Sequence, residues 1–250
     1  MNLLVTAGNT QSPIDRVRCI TNIFSGRTGA AIAHAAWHRG HTITLATSQP
    51  DTLLELGIDP NDPGERLAVI PYRTFDDLAT VLQTQLRGTR FDAACHSAAV
   101  NDYLPAGTFS LNPGTYFNAR TSQWEGRGGT PTLTEQKAGK IKSTEPELWV
   151  RLVRAPKLID RFRTPWGFDG ILVKFKLEVG LGEEELLTVA EQSRNDSTAD
   201  LMVANTLDGA KHWAYLGPIG DGYERVPRAE LAERLVVAIE ELLPASGGGN

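Results

Sequence analysis

The first 39 residues constrain the fold most, because they join an apolar strand to a helix through a loop suited to anions. Residues 1–6 form a short apolar run that predicts a strand buried on both faces. Residues 29–39 carry alanine and isoleucine at helical spacing. Ser25, Gly26 and Gly29 lie where this helix begins, so backbone N–H groups can face a phosphate without obstruction. The segment therefore predicts a binding site for a phosphorylated ligand.

Three arginines lie in or beside this loop, namely Arg16, Arg18 and Arg27. A guanidinium group makes charge-assisted and often bidentate contacts with phosphate, so these side chains are candidate ligands. The alternative is an ordinary strand-to-helix turn whose glycines serve packing only.

The rest of the chain alternates strand and helix signals. Strands are predicted at 42–47, 91–100, 170–178 and 199–205, and helices at 75–86 and 183–193. Residues 213–216 suggest a short edge strand, and Pro227 suggests the start of a last helix. We expect an α/β fold with a doubly wound, mostly parallel Rossmann-like sheet and helices on both faces. Ligands then bind at the carboxyl ends of the strands.

Composition limits the function classes. Thirty acidic residues against 25 Lys and Arg give a net charge of −5, which argues against nucleic acid as a partner. The sequence has no apolar stretch of about twenty residues and no leader at Met1, so we expect a cytoplasmic protein with no membrane partner. The two cysteines, Cys19 and Cys95, indicate neither a disulfide framework nor a zinc site. We expect one domain over residues 1–244 and a disordered tail at 245–250.

Residues 104–139 interrupt the alternation. This segment is rich in Gly, Pro, Thr and Asn, and it is too long for a plain connection inside a compact domain. It also holds Phe109, Tyr116, Phe117 and Trp124, more aromatic surface than a solvated linker carries. These features favour a lid or a dimer arm over disorder.

Four segments carry a resemblance to a known family. The first, VTAGNTQSPIDRVRCITNIFSGRTG at 5–29, is similar to the signature of phosphopantothenoylcysteine synthetases, with its Thr-Ala/Ser-Gly-Gly-Thr start and its Asn-x-(Ser)-Ser-Gly run. The others follow in the family's order: HSAAVNDYLP at 96–105, KAGKIKS at 137–143, and VKFKLE at 173–178 with ADLMVAN at 199–205. Together they extend over most of the chain.

The resemblance implies a ligase of coenzyme A biosynthesis. In the family, the carboxylate of 4′-phosphopantothenate attacks the α-phosphate of a nucleoside triphosphate, which gives an acyl-nucleotidylate and pyrophosphate. The amine of L-cysteine then displaces the nucleoside monophosphate. The resemblance also implies Mg²⁺, a homodimer with the 104–139 flap over the active site, and CTP or ATP as co-substrate. CTP is favoured by likeness to stand-alone bacterial members, and no flavin is expected because this chain lacks the decarboxylase half.

The resemblance assigns roles residue by residue. Asn22 would orient the acyl-nucleotidylate, and Lys140 would stabilise charge during nucleotidyl transfer. Substrate phosphate would be bound by Gly8, Arg18, Ser25, Gly26, Arg27 and Gly29. The nucleotide would be bound by Ala98, Ala99, Asp102, Lys142, Pro156, Lys157, Phe175 and Asn205. Of these, Asp102 would act as a hydrogen-bond or Mg²⁺-associated acceptor, and the resemblance assigns no other metal ligand. This sequence departs from the family at two places that bear on the nucleotide. Ala155 and Lys157 differ from the family's Asn-Pro-Asp-Ile segment. The two lysines that fused bacterial members carry before the last strand fall here near Ser193 and Ser197.

Simpler interpretations of single residues stay open. Asn22 also suits a helix cap or a brace of the loop, Asp102 the close of a turn, and Phe175 a core aromatic. Lysines are mostly exposed, so the pair Lys140 and Lys142 also suits a solvated surface.

Two other functions are alternatives. A nicotinamide-dependent oxidoreductase is disfavoured, because Gly-x-Gly-x-x-Gly is missing and no acidic residue ends the strand at 42–47. A non-catalytic nucleotide-binding or sensor protein on the same fold stays open, because a fold does not determine an activity.

Overall fold

The computed structural model describes residues 1–137, 139, 141 and 144–244, and the chain divides into two compact units. The first unit takes residues 1–10, 23–100 and those from 157 onward, and the second takes 11–22 and 101–156. The prediction of a single domain stays a prediction. Lys140, Lys142 and the tail at 245–250 lie outside the described residues.

The strands and helices are named in chain order. They are β1 (Asn2–Ala7), β2 (Gln11–Pro13), β3 (Cys19–Thr21), α1 (Arg27–His38), β4 (Thr42–Thr47), β5 (Leu67–Pro71), α2 (Phe75–Gly88), β6 (Ala93–His96), β7 (Tyr103–Leu111), β8 (Thr115–Asn118), β9 (Gln123–Gly126), β10 (Leu133–Glu135), β11 (Leu148–Arg154), β12 (Ile171–Glu178), α3 (Glu183–Asp196), β13 (Leu201–Thr206), β14 (Trp213–Ile219), β15 (Gly222–Pro227) and α4 (Leu231–Leu242). Short 3₁₀ helices occupy Pro50–Leu56 and Ile159–Arg161.

The first unit is built on an eight-stranded sheet in the order β15-β14-β13-β12-β6-β1-β4-β5. The six strands from β13 to β5 pair in parallel, which confirms the predicted doubly wound sheet. In this order the chain reverses direction across the sheet between β1 and β6, so the switch point lies between them. Strand β1 is buried on both faces, as its apolar run predicts.

Helices cover both faces of this sheet, as predicted. One core packs α1 and α4 against residues such as Val5, Cys95 and Val203. On the opposite face Leu186 and Ala190 of α3 pack against the alternate residues of β13. Because side chains alternate along a strand, this arrangement defines which strand residues lie on which face.

Two predictions at the carboxyl end of the chain are wrong. The strand that begins at Trp213 is not at an edge, because β14 pairs with β13 on one side and β15 on the other. Pro227 does not start the last helix; it ends β15 opposite Trp213, and α4 begins at Leu231. A proline suits either position, since it lacks the N–H group that both a strand end and a helix start leave unused.

The second unit consists of antiparallel strands. β7 lies between β10 and β11, while β2 pairs with β3 and β8 with β9. Residues 103–135 therefore hold β7 to β10, strands that the irregular composition of the 104–139 segment did not predict. Phe117 and Trp124 pack within this unit against Trp149, with ring centroids 4.4–5.2 Å apart.

No helix in the described part of the chain is long and apolar enough to cross a membrane.

Candidate phosphate and nucleotide site

The carboxyl ends of β1 and β6 lie side by side at the switch point, where open α/β sheets bind their ligands. β1 continues into Gly8 and β6 into the Ser97–Ala98–Ala99 turn. The Ala99 N–H donates to the Gly8 carbonyl at 2.8 Å, and the Thr10 N–H donates to the Ala99 carbonyl at 3.2 Å. The structure thus brings three predicted site residues, Gly8, Ala98 and Ala99, to one edge of the sheet.

Three glycines allow α1 to begin directly above this edge. Gly8 and Gly26 both have positive φ, 88° and 81°, a conformation that favours glycine. A Cβ on Gly26 would lie 2.7 Å from the Gly8 nitrogen, so the two backbones touch. A Cβ on Gly29 would lie 2.5 Å from the Ala7 Cβ and 2.9 Å from the Thr6 carbonyl oxygen. Only glycine at these positions lets the helix start pack so closely on β1.

No side chain caps the amino end of α1, whose N-cap residue is Gly26. The amide groups of its first turn therefore keep the anion-binding character that the sequence indicates. Ser25 and Arg27 flank this start and are exposed. The Arg27 guanidinium is already engaged in a bidentate pair with Glu55, at 2.8 and 2.9 Å. This pair raises the pKa of Arg27 and lowers the pKa of Glu55.

Arg228, which sequence reasoning missed, also reaches the first turn of α1. Its guanidinium donates to the Thr28 hydroxyl, and no carboxylate of the described residues lies within 4.0 Å of it. Burial lowers the pKa of Arg228, but an arginine of even lowered pKa stays charged at neutral pH. An arginine before a helix is common, so the sequence alone gives no signal for this role.

The second unit holds another group of predicted residues, including Arg18, Asn22, Asp102 and Pro156. The Arg18 guanidinium donates to the Asp15 carboxylate at 2.6 and 3.1 Å and to the Ile141 carbonyl at 2.9 Å. The bond from Arg18 holds the pKa of Asp15 well below its usual range. Arg18 therefore braces its own loop, a role the sequence did not indicate.

The other predicted residues of this unit differ in exposure. Asn22 is half-buried, whereas Asp102 and Pro156 are exposed. The Asp102 backbone carbonyl accepts from the Ala155 N–H at 2.8 Å, which fixes the chain there and leaves the carboxylate at the surface. The neighbouring Asn101 is buried and donates to the Ser12 hydroxyl at 2.7 Å.

The remaining nucleotide candidates lie in the first unit. Phe175 is half-buried and packs against the core beneath α1 and α4. Asn205 is half-buried near the end of β13, level with Leu177 of β12. Lys157 is exposed. The two predicted lysines that follow the flap, Lys140 and Lys142, lie outside the described residues.

A row of buried polar residues crosses three adjacent strands on the face opposite α1, and sequence reasoning missed it. Thr6 of β1 is level with His96 of β6, which is level with Lys174 of β12. The Lys174 ammonium donates to the Ser193 carbonyl at 2.6 Å and the Ser197 hydroxyl at 2.5 Å. Ser197 in turn donates to Asp160 at 3.0 Å. Polar residues inside otherwise apolar strands were the only signal in the sequence.

Burial shifts the pKa values in this row. It lowers the pKa of Lys174 and lowers the pKa of His96 to about 4, with the Lys174 charge adding to the effect on His96.

The described residues contain no cluster of three or more His, Cys, Asp or Glu side chains that could hold a metal. His34 and His38 contact each other through their Nε2 atoms at 2.9 Å on the exposed side of α1.

Known proteins are similar to this chain along most of its length. Residues 1–110 match the family described as the DNA/pantothenate metabolism flavoprotein C-terminal domain. Over 96% of its length, the chain is 32% identical to the coenzyme A biosynthesis bifunctional protein CoaBC of Thermococcus kodakarensis. It is 25% identical over the same share to the CoaBC of Methanocaldococcus jannaschii. The chain covers 51% of each, so it spans about half the length of these relatives.

One solved structure is similar to this chain over nearly its whole length. The DNA/pantothenate metabolism flavoprotein from Streptococcus pneumoniae superposes with a TM-score of 0.75 and is 26% identical, covering 97% of this chain and 100% of that one. The C-terminal domain of CoaBC, at 19% identity and a TM-score of 0.63, shares the fold. Together with the four motif segments, these likenesses confirm the resemblance of this chain to phosphopantothenoylcysteine synthetases.

Proposed function

We propose that this protein joins 4′-phosphopantothenate to L-cysteine in coenzyme A biosynthesis. The reaction runs through an acyl-nucleotidylate and releases pyrophosphate and then a nucleoside monophosphate. The observation that carries the proposal is the glycine-lined start of α1 at the switch point, because it offers backbone amides to a phosphate without obstruction. The relatives named for coenzyme A biosynthesis support the choice of substrates.

The chemistry needs no protein nucleophile, because the substrate carboxylate and the cysteine amine supply both attacking groups. The protein has to position the reactants and stabilise negative charge. Amides of the first turn of α1, between Gly26 and Gly29, bind phosphate, and Arg27 and Arg228 lie beside them. Lys140 stabilises negative charge during nucleotidyl transfer, and Lys142 binds the nucleotide. Asn22 orients the acyl-nucleotidylate, since an amide can donate and accept hydrogen bonds but cannot act as a base.

Magnesium in nucleotide enzymes is held by one or two carboxylates and by substrate phosphates. The described residues offer no protein cage of three or more acidic or histidine ligands, so the donor set fits an ion carried by the triphosphate. The exposed Asp102 carboxylate is the residue we assign to it. Such an ion would neutralise phosphate charge.

For the nucleotide we propose CTP, with ATP as the alternative. The residues proposed to bind the nucleotide are Ala98, Ala99, Pro156, Lys157, Phe175 and Asn205. We further propose that the protein acts in the cytoplasm as a homodimer and carries no flavin.

The decisive experiment measures pyrophosphate release with 4′-phosphopantothenate, with and without cysteine, using CTP and ATP in parallel. We expect release that depends on phosphopantothenate, and complete turnover once cysteine is added. Nucleotide binding without pyrophosphate release would instead favour the non-catalytic binding protein. Faster turnover with ATP than with CTP at equal subsaturating concentration would reverse the nucleotide preference and leave the reaction unchanged.

A further inference from the structure

His96 is the last residue of β6 and lies at the switch point without any part in the proposed chemistry. Its Nδ1 atom is 3.0 Å from the Thr6 hydroxyl oxygen, which also accepts the Ala98 N–H at 3.1 Å. We propose that neutral His96, as the tautomer protonated on Nε2, is a positioning residue that holds the Ala98 amide in place through Thr6. The inference rests on the proposed function only in taking this turn as part of the nucleotide site.

The hydrogen bonds of Thr6 determine the tautomer. A hydroxyl has one proton to donate and two lone pairs to accept with. The Thr6 oxygen accepts from Ala98, and among the described residues the Nδ1 atom of His96 is the one hydrogen-bond acceptor within reach of the Thr6 hydroxyl proton. Nδ1 must then be unprotonated, and a neutral ring carries its proton on Nε2. Protonated His96 would reverse this bond and leave the buried Thr6 proton without its acceptor.

The surroundings keep His96 neutral. Its side chain is buried, with Phe162 packing against the ring at 5.3 Å between centroids. The charged group beside it is the Lys174 ammonium on the adjacent strand, which disfavours a second positive charge. Lys174 is itself anchored by Ser193 and Ser197, so it stays beside the strand.

The consequence for ligand binding runs through the turn after β6. Ala98 and Ala99 form the backbone that follows β6 at the switch point, and the Ala99 N–H donates to the Gly8 carbonyl at 2.8 Å. Ser97 fastens the same turn, because its hydroxyl donates to the Thr6 carbonyl at 2.6 Å. Losing the His96–Thr6 bond frees the Thr6 hydroxyl to rotate, and the Ala98 amide loses its fixed acceptor. We expect weaker nucleotide binding with little change in the chemical step.

The first test examines the wild-type protein by two-bond ¹H–¹⁵N correlation of its histidine rings. The His96 signals are identified because they are absent from the spectrum of the variant His96→Asn. We expect the pattern of an Nε2-protonated neutral ring from pH 8 down to pH 5.5. A His96 ring that titrates in this range, or that carries its proton on Nδ1, would overturn the inference.

The second test measures the nucleotide dissociation constant by calorimetry in paired variants. Asn can accept a hydrogen bond where Leu cannot, so His96→Asn should bind nearly as wild type, whereas His96→Leu should bind roughly tenfold more weakly. Thr6→Ser and Thr6→Val form a second such pair with less change in volume. Thr47→Val removes a buried hydroxyl at the end of neighbouring β4, where it accepts from Gln49, and should leave the constant unchanged.

The outcomes separate this inference from the proposed function. Nucleotide binding that weakens in His96→Leu and Thr6→Val supports the inference even if no variant shows ligase turnover. In an active enzyme, KM for the nucleotide should rise in these variants while kcat changes little. Equal binding in all variants, with Thr6→Val folded by circular dichroism, would mean that His96 serves packing alone.

Discussion

At the scale of single residues, the glycines of the α1 start leave no room for even one methyl group. A Cβ added to Gly29 would meet the Ala7 Cβ, the Ser97 hydroxyl and the Thr6 carbonyl, all within 3 Å. The close packing of the α1 start on β1 therefore requires a residue without a side chain at this position.

The variant Gly29→Ala should push α1 away from β1, because protein interiors cannot absorb such overlap without movement. We expect a loss of about 1–3 kcal/mol in unfolding free energy and weaker phosphate-dependent binding, measured by denaturant titration and calorimetry. Gly88→Ala is the control, since nothing lies within 4 Å of its Cβ at the end of α2. Wild-type stability and affinity in Gly29→Ala would contradict the close packing described.

The variant Lys140→Ala should lower kcat by roughly a hundredfold or more, because charge stabilisation made mainly in the transition state is lost. Lys142→Ala is the matched control and should have a smaller effect. Steady-state rates of pyrophosphate release measure both. Small and equal effects would assign the two lysines to a solvated surface.

The variant Asn22→Ala should spare formation of the acyl-nucleotidylate more than its attack by cysteine, because orientation matters most in the second half-reaction. Quenched single-turnover mixtures containing cysteine should accumulate phosphopantothenoyl-nucleotidylate. A slower overall rate without accumulation would indicate that Asn22 braces its loop. Loss of such a brace lowers the unfolding free energy by about 1 kcal/mol.

At the scale of elements, the Glu191 carboxylate ties the edge strand β15 to helix α3. Glu191 of α3 accepts from Arg194 at 2.6 and 2.9 Å and from the Tyr223 hydroxyl of β15 at 2.8 Å. The bond from Arg194 is the largest cause that lowers the pKa of Glu191 from 4.5 to about 2. This contact links α3 to the strand at the edge of the sheet.

The pH dependence follows from the sign of this shift. A carboxylate whose pKa falls on folding adds stability that is fully present above the unfolded value of 4.5 and is lost as pH falls toward about 2. We expect wild type to exceed Glu191→Gln in unfolding free energy at pH 6 and to lose most of that modest advantage by about pH 3. Denaturant titrations at both pH values measure it, with Glu184→Gln on the same helix as control. An advantage independent of pH would contradict the linkage.

At the scale of the whole molecule, we predict a homodimer in which the 104–139 segment packs against the partner. Large apolar side chains of this segment are exposed, among them Tyr116 and Leu133. Exposed apolar surface of this kind often marks an interface. Light scattering at micromolar concentrations should give twice the 27.2 kDa chain mass. A monomer across that range would contradict the prediction.

The sequence alone determined the elements whose signals are local. Apolar runs and helical spacing identified β1, β4, α2, β12 and α3 to within a few residues, because burial imposes these periods on adjacent residues. The glycines at 8, 26 and 29 also indicated the start of α1 beside β1. A backbone that must stay free of side chains requires glycine, and glycine can be recognised in the sequence. The motif segments indicated the family resemblance because each of them is a contiguous stretch of residues.

Only the tertiary structure decided what depends on contacts between distant residues. The interior position of β14 follows from its pairing with β13 and β15, and no local period encodes a strand's neighbours. The ion pair of Arg27 with Glu55 and the contact of Arg228 with Thr28 join residues 28 and 200 positions apart. The row of Thr6, His96 and Lys174 exists only because parallel pairing sets three separate strands in register. Such pairings are set by the packing of the whole sheet, so the residue types alone cannot reveal them.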